Sequence, residues 1–355
     1  MPAPTAPRHR PCLTALDLGS HRFRSLRRGG NHTVGRTSRA AYGTLPDSDA
    51  RRALLEQVGL AYAVAEGGGK GGELVLIGDA ADEYARLFGT PSLPLLHHGQ
   101  VPKDDPPARQ LIGTLIDGLL PDPLAPNEPV AVVYPGGAEE RRFLSSIVKL
   151  RGYAPVAVDP AEAFAAAAMG SVGLRGLALV CGSERWDLAV IVNGKVVARC
   201  TAEGGAAALD ERRAEDRKRV VYEEDGGRLL DTESCRRDRE NFRGTLDNPG
   251  GDEEAAIAEL HAAALTELFA EAADRFAGDP GLKNIGKPLP LICGGGAARV
   301  PGFTAMASEI AAAVDLPVPV GGAMTALGND YQTCRGALIL AEIENAERRD
   351  RRMAA

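Results

Sequence analysis

A glycine triplet between two apolar segments constrains the fold of this chain more than any other feature. Residues 289–293 form an apolar run between Pro288 and Gly294–Gly296. Such a run is typical of a buried strand that ends at a sharp turn. Beyond the turn, apolar residues recur every three or four positions from Phe303 to Val314, which predicts an amphipathic helix. This order of buried strand, glycine turn and helix indicates the α/β class.

The same triplet is a candidate ligand site. Gly294, Gly295, Gly296 and the following Ala297 would let a ligand approach the backbone closely, because glycine has no Cβ. The amides at the start of the following helix would favour an anion. This interpretation predicts a nucleotide site. The alternative is a tight strand-to-helix connection that binds nothing, since glycine-rich turns are common in α/β proteins.

A second glycine turn follows the first apolar run of the chain. Residues 12–20 end in Asp17-Leu18-Gly19-Ser20, and apolar residues resume at Phe23 as in the second strand of a hairpin. In such a turn Gly19 and Ser20 can offer donors to a phosphate, while Asp17 faces a divalent cation through water. A plain β-turn, in which the aspartate and serine cap each other, is the alternative.

The hairpin construction recurs in the second half of the chain. Residues 177–192 form a strand, a turn at Gly182-Ser183 and a returning strand, and Asn193-Gly194 predicts a tight turn into a third strand. A duplicated fold of this kind has two lobes with the ligand between them. We therefore expect a first lobe over residues 12–174 and a second over 175–345.

Each lobe is expected to carry an outer segment. In the first lobe this is a small subdomain over about residues 29–126, and in the second a charged, largely helical subdomain over about 202–284. The glycine run at 67–72 lacks the Lys-Ser or Lys-Thr pair of a Walker loop, so we interpret it as a flexible hairpin loop. Residues 1–11 are expected to form a disordered tail and residues 346–355 a charged tail.

Composition excludes several classes of function. The chain has 355 residues, of which 44% are hydrophobic and 25% charged, and a formal net charge of -7. These values are ordinary for a soluble protein of two domains and argue against nucleic-acid binding. The arginines between 212 and 219 are matched by nearby acids, as on a solvated helix face. With no transmembrane run and no signal peptide, we expect a cytoplasmic protein.

The cysteines and histidines indicate no metal centre. The six cysteines are scattered without a C-x-x-C pair, and the six histidines do not lie at ligand spacing from cysteines or acids. We expect reduced thiols that behave as small hydrophobic residues.

Five stretches, taken in order, carry a family resemblance. They are Asp17–Ser20, Val133–Arg142, Asp159–Ala163, the 177–192 hairpin and Gly294–Gly302. In this order they resemble the actin superfamily of ATPases, and within it the MreB proteins and the nucleotide-binding half of DnaK-type chaperones. The resemblance covers roughly residues 12–200 and 285–342. It implies an actin-like, ribonuclease H-like duplicated fold, whose two lobes each hold a mixed sheet flanked by helices.

The resemblance also implies ligands and roles. ATP and Mg²⁺ would be bound between the lobes, and hydrolysis would drive lobe closure, self-assembly or binding of a protein partner. The implied roles are metal binding by Asp17, phosphate binding by Gly19, Ser20, Arg22, Gly182 and Ser183, nucleoside binding by Gly294, Gly295, Gly296 and Ala297, and positioning of the attacking water by Glu140. Because the chain ends soon after a terminal helix at 333–352, we expect no peptide-clamping domain of the DnaK type.

The second phosphate loop departs from the family pattern. Where the family has Asp-x-Gly-Gly-Gly-Thr-Thr, this chain has residues 180–186, so Val180 replaces the acid and Ser183 and Glu184 replace two glycines. The Glu184 carboxylate beside phosphate oxygens would repel them unless Arg185 or a metal ion lies between them. Loss of the acid should weaken hydrolysis more than binding, because hydrolysis needs charge neutralisation and a positioned water. The alternative function is therefore a catalytically degenerate pseudo-ATPase that acts as a scaffold.

Overall fold

The computed structural model describes residues 11–65, 72–222, 227–326 and 328–353. The predicted flexible loop at 67–72, except for its last residue, and the predicted N-terminal tail, except for residue 11, lie outside the described residues. The strands are β1 (Thr14–Leu18), β2 (Arg22–Gly29), β3 (His32–Arg39), β4 (Ala41–Pro46), β5 (Ala63–Ala65), β6 (Glu73–Ile77), β7 (Leu93–Pro94), β8 (Glu128–Val133), β9 (Tyr153–Val158), β10 (Gly176–Cys181), β11 (Arg185–Val192), β12 (Lys195–Glu203), β13 (Val220–Tyr222), β14 (Arg228–Leu230), β15 (Leu289–Gly295) and β16 (Val320–Thr325). The α-helices are α1 (Asp49–Gln57), α2 (Asp79–Phe88), α3 (Pro106–Leu119), α4 (Ala138–Leu150), α5 (Pro160–Ala168), α6 (Gly205–Asp216), α7 (Thr232–Glu240), α8 (Asp252–Ala277), α9 (Pro280–Lys283), α10 (Phe303–Ala313) and α11 (Gln332–Met353).

Two five-stranded sheets of the same topology form the centre of the molecule. The strand order is β3-β2-β1-β8-β9 in the first sheet and β12-β11-β10-β15-β16 in the second. In each sheet the first three strands pair antiparallel, and two later strands continue the sheet in parallel from the first strand. Strands β1 and β10 lie at the centre of their sheets. Their residues are apolar because helices cover both faces of each sheet. The expected duplicated α/β fold with two mixed sheets is confirmed.

The helix that follows each sheet packs against the other sheet. Helix α5 follows β9 and contacts β10, β11 and β12, whereas α11 comes after β16 and contacts β1, β2, β8 and β9. The two helices also pack on each other so closely that a Cβ on Gly336 would lie 1.6 Å from the carbonyl oxygen of Ala163. The alanine-rich sequence of α5 allows this close approach, because alanine side chains are small. The exchange of helices ties the two halves of the chain together.

The outer face of each sheet carries its own core and outer segment. Helices α3 and α4 pack on the first sheet, and α8 and α10 on the second. The first outer segment contains a four-stranded sheet of order β5-β6-β4-β7, and the second contains α6 to α9 with the β13–β14 hairpin. The domain boundaries proposed above stay a prediction.

Smaller expectations are corrected or confirmed by the structure. Helix α2 begins at Asp79, and Gly78 is its N-cap with a φ of 69°. Strand β15 continues to Gly295, beyond the expected end at Cys293. All six cysteines are buried with free thiols, as expected. Within the part of the chain that the structure describes, each helix is too short or too polar to cross a membrane.

Candidate functional site

Two hairpin turns lie at equivalent places in the two sheets. The first turn, residues 19–21, connects β1 to β2, and the second turn, residues 182–184, connects β10 to β11. Each turn stands at the carboxyl end of a strand that pairs in parallel with the next one, β8 or β15. This edge is where open α/β sheets bind their ligands.

A loop at residues 97–100 joins the two turns across the space between the halves. Two hydrogen bonds between His97 and Gln100 close the loop, and a Cβ on Gly99 would lie 3.5 Å from Ser20 Oγ. On its other side, His98 Nδ1 lies 3.4 Å from Glu184 Oε2. Burial raises the pKa of Glu184, and the His98 contact acts in the opposite direction. The structure therefore brings Ser20 and the second turn to opposite sides of one short loop.

Glu140, at the start of α4, lies near the same loop. A Cβ on Gly136 would lie 2.7 Å from Glu140 Cγ and 2.8 Å from the carbonyl oxygen of Gly99. Its neighbour Glu139 is exposed and pairs with Lys103 at 3.1 Å. Of the two acids at the start of α4, Glu140 is the one that lies near Gly99 of the loop.

The carboxylate of Asp17 is paired with an arginine that sequence reasoning missed. Asp17 is only 9% exposed, and its Oδ2 lies 3.5 Å from Arg24 Nη1. The two residues are direct partners across β1 and β2, so their side chains share one face. Burial raises the pKa of Asp17, although Arg24 acts to lower it. The alternation of Arg22 and Arg24 after the turn was the available signal, since counting back across a hairpin pairs the second arginine with Asp17.

Arg22, the expected phosphate contact, is directed to the first outer segment. Its Nη1 lies 3.2 Å from Asp79 Oδ1, at the start of α2. Arg22 and Arg24 therefore have separate carboxylate partners, and Arg24 is the cation next to Asp17.

The second turn is packed against the start of α6, the helix that follows β12. The amides of Ala206 and Ala207 donate to the carbonyl oxygens of Gly182 and Ser183, at 3.1 and 2.7 Å. A Cβ on Gly205 would lie 2.5 Å from the Ser183 carbonyl oxygen, and the φ of Gly205 is 48°. The turn carbonyls thus satisfy amide groups at the start of α6 that would otherwise be open to an anion.

The acid missing from β10 has a counterpart one strand away. Val180 packs in an apolar cluster with Phe164 and Ala178. Asp187 is its direct partner on β11 and is 4% exposed. Thr201 Oγ1 donates to one Asp187 oxygen at 2.6 Å, and Arg185 Nε lies 3.0 Å from the other. Sequence reasoning missed Asp187, whose oxygens are both engaged by the protein.

The glycine triplet is used mainly for packing between protein segments. A Cβ on Gly294 would lie 2.1 Å from the Phe164 ring, and one on Gly295, where φ is +93°, would lie 2.2 Å from the Cys181 carbonyl oxygen. Gly296 is exposed and has no atom within 4 Å of its Cβ position. Ala297 is buried. Of these three glycines, Gly296 has open space beside it, and the nucleoside-binding role of the triplet stays a prediction.

Ion pairs join the outer segments of the two halves above the turns. Arg236 on α7 has Nη2 3.0 Å from Asp82 Oδ1 on α2, and Arg39 Nη2 lies 3.6 Å from Glu233 Oε2. We call these contacts the cross-lobe ion pairs. His21 of the first turn contacts Arg39, and burial, together with the nearby arginines, lowers the pKa of His21 well below its usual value. His21 is therefore neutral at pH 7. The charges of the cross-lobe ion pairs belong to Arg236, Asp82, Arg39 and Glu233.

The residues near Asp17 fit a divalent cation poorly. Mg²⁺ is usually held by one or two carboxylates together with phosphates of the ligand. Here the Asp17 carboxylate is already paired with Arg24, and the equivalent position in the second sheet is Val180. Over residues 11–65, 72–222, 227–326 and 328–353, no group of three or more His, Cys, Asp or Glu side chains has the arrangement of a metal site.

The duplicated sheets, the exchanged helices and the two facing turns define an actin-like fold. Solved structures of similar fold include a MamK double helical filament, with 14% identity over 93% of this chain and 98% of that chain and a TM-score of 0.65. MreB 5 of Spiroplasma citri bound to AMPPNP has 14% identity over 97% and 99%, with a TM-score of 0.67. The ethanolamine utilization protein EutJ from Carboxydothermus hydrogenoformans has 15% identity over 95% and 91%, with a TM-score of 0.52.

A family model places the chain in a narrower group of proteins than the fold does. A family model described as Volactin matches residues 13–341, so the chain belongs to the volactin family. None of the curated proteins matches the sequence. The predicted resemblance to actin-like proteins is confirmed for the fold.

Proposed function

We propose that this protein binds ATP between its two halves and assembles into filaments in the nucleotide-bound state. The observation that carries the proposal is the meeting of two glycine turns, one from each duplicated sheet, at the 97–100 loop. The MreB 5 structure with AMPPNP supports a nucleotide at the corresponding place, and the MamK filament supports assembly.

The first turn would bind the phosphates. The Gly19 and Ser20 amides and the Ser20 hydroxyl offer donors, and Arg24 offers a permanent positive charge. The nucleoside would lie beside Gly296, where the surface is open. Glu184, whose carboxylate would repel phosphate, is held by His98 on the far side of the loop.

Hydrolysis, where it occurs, would use Glu140. Water attacks the γ-phosphorus, the bond to the β,γ-bridging oxygen breaks, and ADP and inorganic phosphate leave, while Glu140 orients the water and accepts its proton. The second half contributes little to this step, because Val180 is apolar and both Asp187 oxygens are engaged. That observation favours a second candidate function, a scaffold that binds nucleotide without turning it over.

Calorimetric titration with ATP tests nucleotide binding. Gly296→Trp should lower the affinity at least tenfold, because the indole would fill the open space beside the triplet. Gly286→Trp is the matched control, since Gly286 is also exposed with no atom within 4 Å of its Cβ position. Equal affinities of the two variants would contradict the proposed nucleoside position. Absence of ATP binding by the wild-type protein would refute nucleotide binding.

Sedimentation and electron microscopy test assembly, and phosphate release tests turnover. We expect ATP to move the protein into the pellet as filaments, whereas a protein that stays in the supernatant with ATP would contradict assembly.

Glu140→Gln should abolish any phosphate release, and Glu139→Gln is its control because Glu139 is exposed and pairs with Lys103. Turnover that is equal in the two variants would remove Glu140 from the mechanism.

A further inference from the structure

We infer that Arg24 takes the place of the divalent cation at the first turn, so that the protein binds its nucleotide without a metal ion. This inference rests on the proposed nucleotide site and adds the charge that neutralises the phosphates there. It follows from the disagreement between the residues around Asp17 and the metal that the actin-like fold implies.

The position of Arg24 is set by the hairpin itself. Arg24 faces Asp17 in the β1–β2 register, and its Nη1 lies 3.5 Å from Asp17 Oδ2 and 3.7 Å from the Cβ position of Gly19. The same nitrogen donates to the Arg22 carbonyl oxygen at 3.5 Å. The positive charge is therefore held beside both Asp17, near the end of β1, and the glycine whose amide would meet a phosphate.

A divalent cation at Asp17 would have to displace this guanidinium or lie against it. Arginine keeps its charge at all ordinary pH values, so the guanidinium and the cation would repel each other. The second sheet offers no free carboxylate in compensation, because Val180 is apolar and Asp187 is bound by Thr201 and Arg185. At these equivalent positions Asp17 is thus the acid left for Mg²⁺, and it already has a cationic partner.

The guanidinium of Arg24 has donor capacity left for a phosphate. Its Nε is buried and has no hydrogen-bond partner among the described residues. The side chain as a whole is 22% exposed, so a ligand at the first turn would meet its exposed atoms and not the buried Nε. A guanidinium presents several N–H groups in one plane and binds phosphate oxygens by paired hydrogen bonds. Arg24 can therefore remain on Asp17 and still donate to the phosphates.

Calorimetric titration with ATP in EDTA and in excess MgCl2 tests the inference. We expect the wild-type affinity in EDTA to lie within threefold of that in MgCl2. Arg24→Gln should weaken binding in EDTA at least tenfold and regain affinity in MgCl2, because Asp17 is then free to assist a metal. Arg24→Lys, which keeps the charge, should bind in EDTA more tightly than Arg24→Gln.

Arg28→Gln is the matched control on the same strand. Arg28 is exposed, pairs with Glu342 away from the turn, and should leave both affinities unchanged. A wild-type protein that needs Mg²⁺ for binding, or an Arg24→Gln variant that binds in EDTA like the wild type, would overturn the inference and leave the nucleotide site standing. Absence of binding under both conditions would instead overturn the nucleotide site and the inference with it. Circular dichroism of each variant separates lost binding from lost folding.

Discussion

The two hairpins of this protein share a backbone design but carry different charges on the face between the sheets. Asp17 faces Arg24 in the first hairpin, whereas Val180 faces Asp187 in the second. The apolar positions are kept: Phe23 and Trp186 occupy equivalent positions after the two turns, and both are buried. The fold therefore depends on the apolar partners of each hairpin, while the polar positions are free to diverge.

The two turns also differ in the contacts that hold them. Trp186 Nε1 donates to the Gly182 carbonyl oxygen at 3.2 Å, and its indole meets Phe303 edge to face at 5.9 Å between ring centres. The second turn is held by these contacts and by α6. In the first turn the contacts are made by His21, whose carbonyl oxygen accepts from the Ala40 amide at 2.9 Å and whose ring contacts Arg39, while Ser20 lies beside the 97–100 loop.

The largest expected effect comes from breaking the anchor of the second turn. Trp186→Ala should lower the free energy of unfolding by about 3–5 kcal/mol, because it removes a fully buried aromatic side chain. Urea denaturation measures the loss. Trp186→Phe keeps most of the volume and should cost about 1 kcal/mol for the missing hydrogen bond. An alanine variant as stable as the phenylalanine variant would show that the indole does not anchor the turn.

A pH dependence of stability is expected from His261, which lies near Trp186. Burial lowers the pKa of His261, whose ring lies 6.4 Å from that of Trp186, from 6.5 to about 4. Because the unfolded chain takes up the proton first, stability is lost as pH falls from 6.5 towards 4, on the order of 3 kcal/mol. Urea denaturation at pH 7, 5.5 and 4.5 measures the loss. His261→Gln should flatten the profile, and an unchanged profile would assign the effect to other groups.

Restoring the missing acid makes the two hairpins more alike in sequence at a cost in stability. Val180→Asp places a carboxylate in an apolar cluster directly opposite Asp187, so we expect a loss of about 2 kcal/mol at pH 7. Val180→Asn is the control without charge. Thermal unfolding of both variants tests this account, which fails if the aspartate variant is at least as stable as the asparagine variant.

The smallest effect is expected where the outer segments of the two halves meet. Arg236→Gln removes the contact to Asp82 and should cost about 1 kcal/mol, because the pair is only partly exposed. Hydrogen exchange of α7 should accelerate as the outer segments separate. Arg237→Gln on the same helix is the control, since Arg237 bonds to Ser234 within α7. Equal exchange rates in the two variants would mean that the cross-lobe ion pairs do not hold the halves together.

Much of the fold was predictable because its signals are local. Apolar runs, glycine turns and the Asn193-Gly194 pair mark strands and hairpins within a few residues, and their recurrence indicated the duplication. The resemblance assigned the first turn and Glu140 to one site; Ser20 and Glu140 both lie near Gly99, and their roles stay predictions. Arg24 was missed because its importance lies in its cross-strand partner, which depends on the register of the turn.

The amino-acid sequence by itself determined the α/β class, the duplicated hairpins and the replacement of the β10 acid by Val180, since each is a property of consecutive residues. Only the tertiary structure decided what occupies the space beside each glycine. Phe164 comes from a helix of the first half and fills the space at Gly294, while the space at Gly296 stays open. The cross-lobe ion pairs depend in the same way on residues far apart in the chain. Such contacts are set by the packing of whole helices against sheets, which no local pattern encodes.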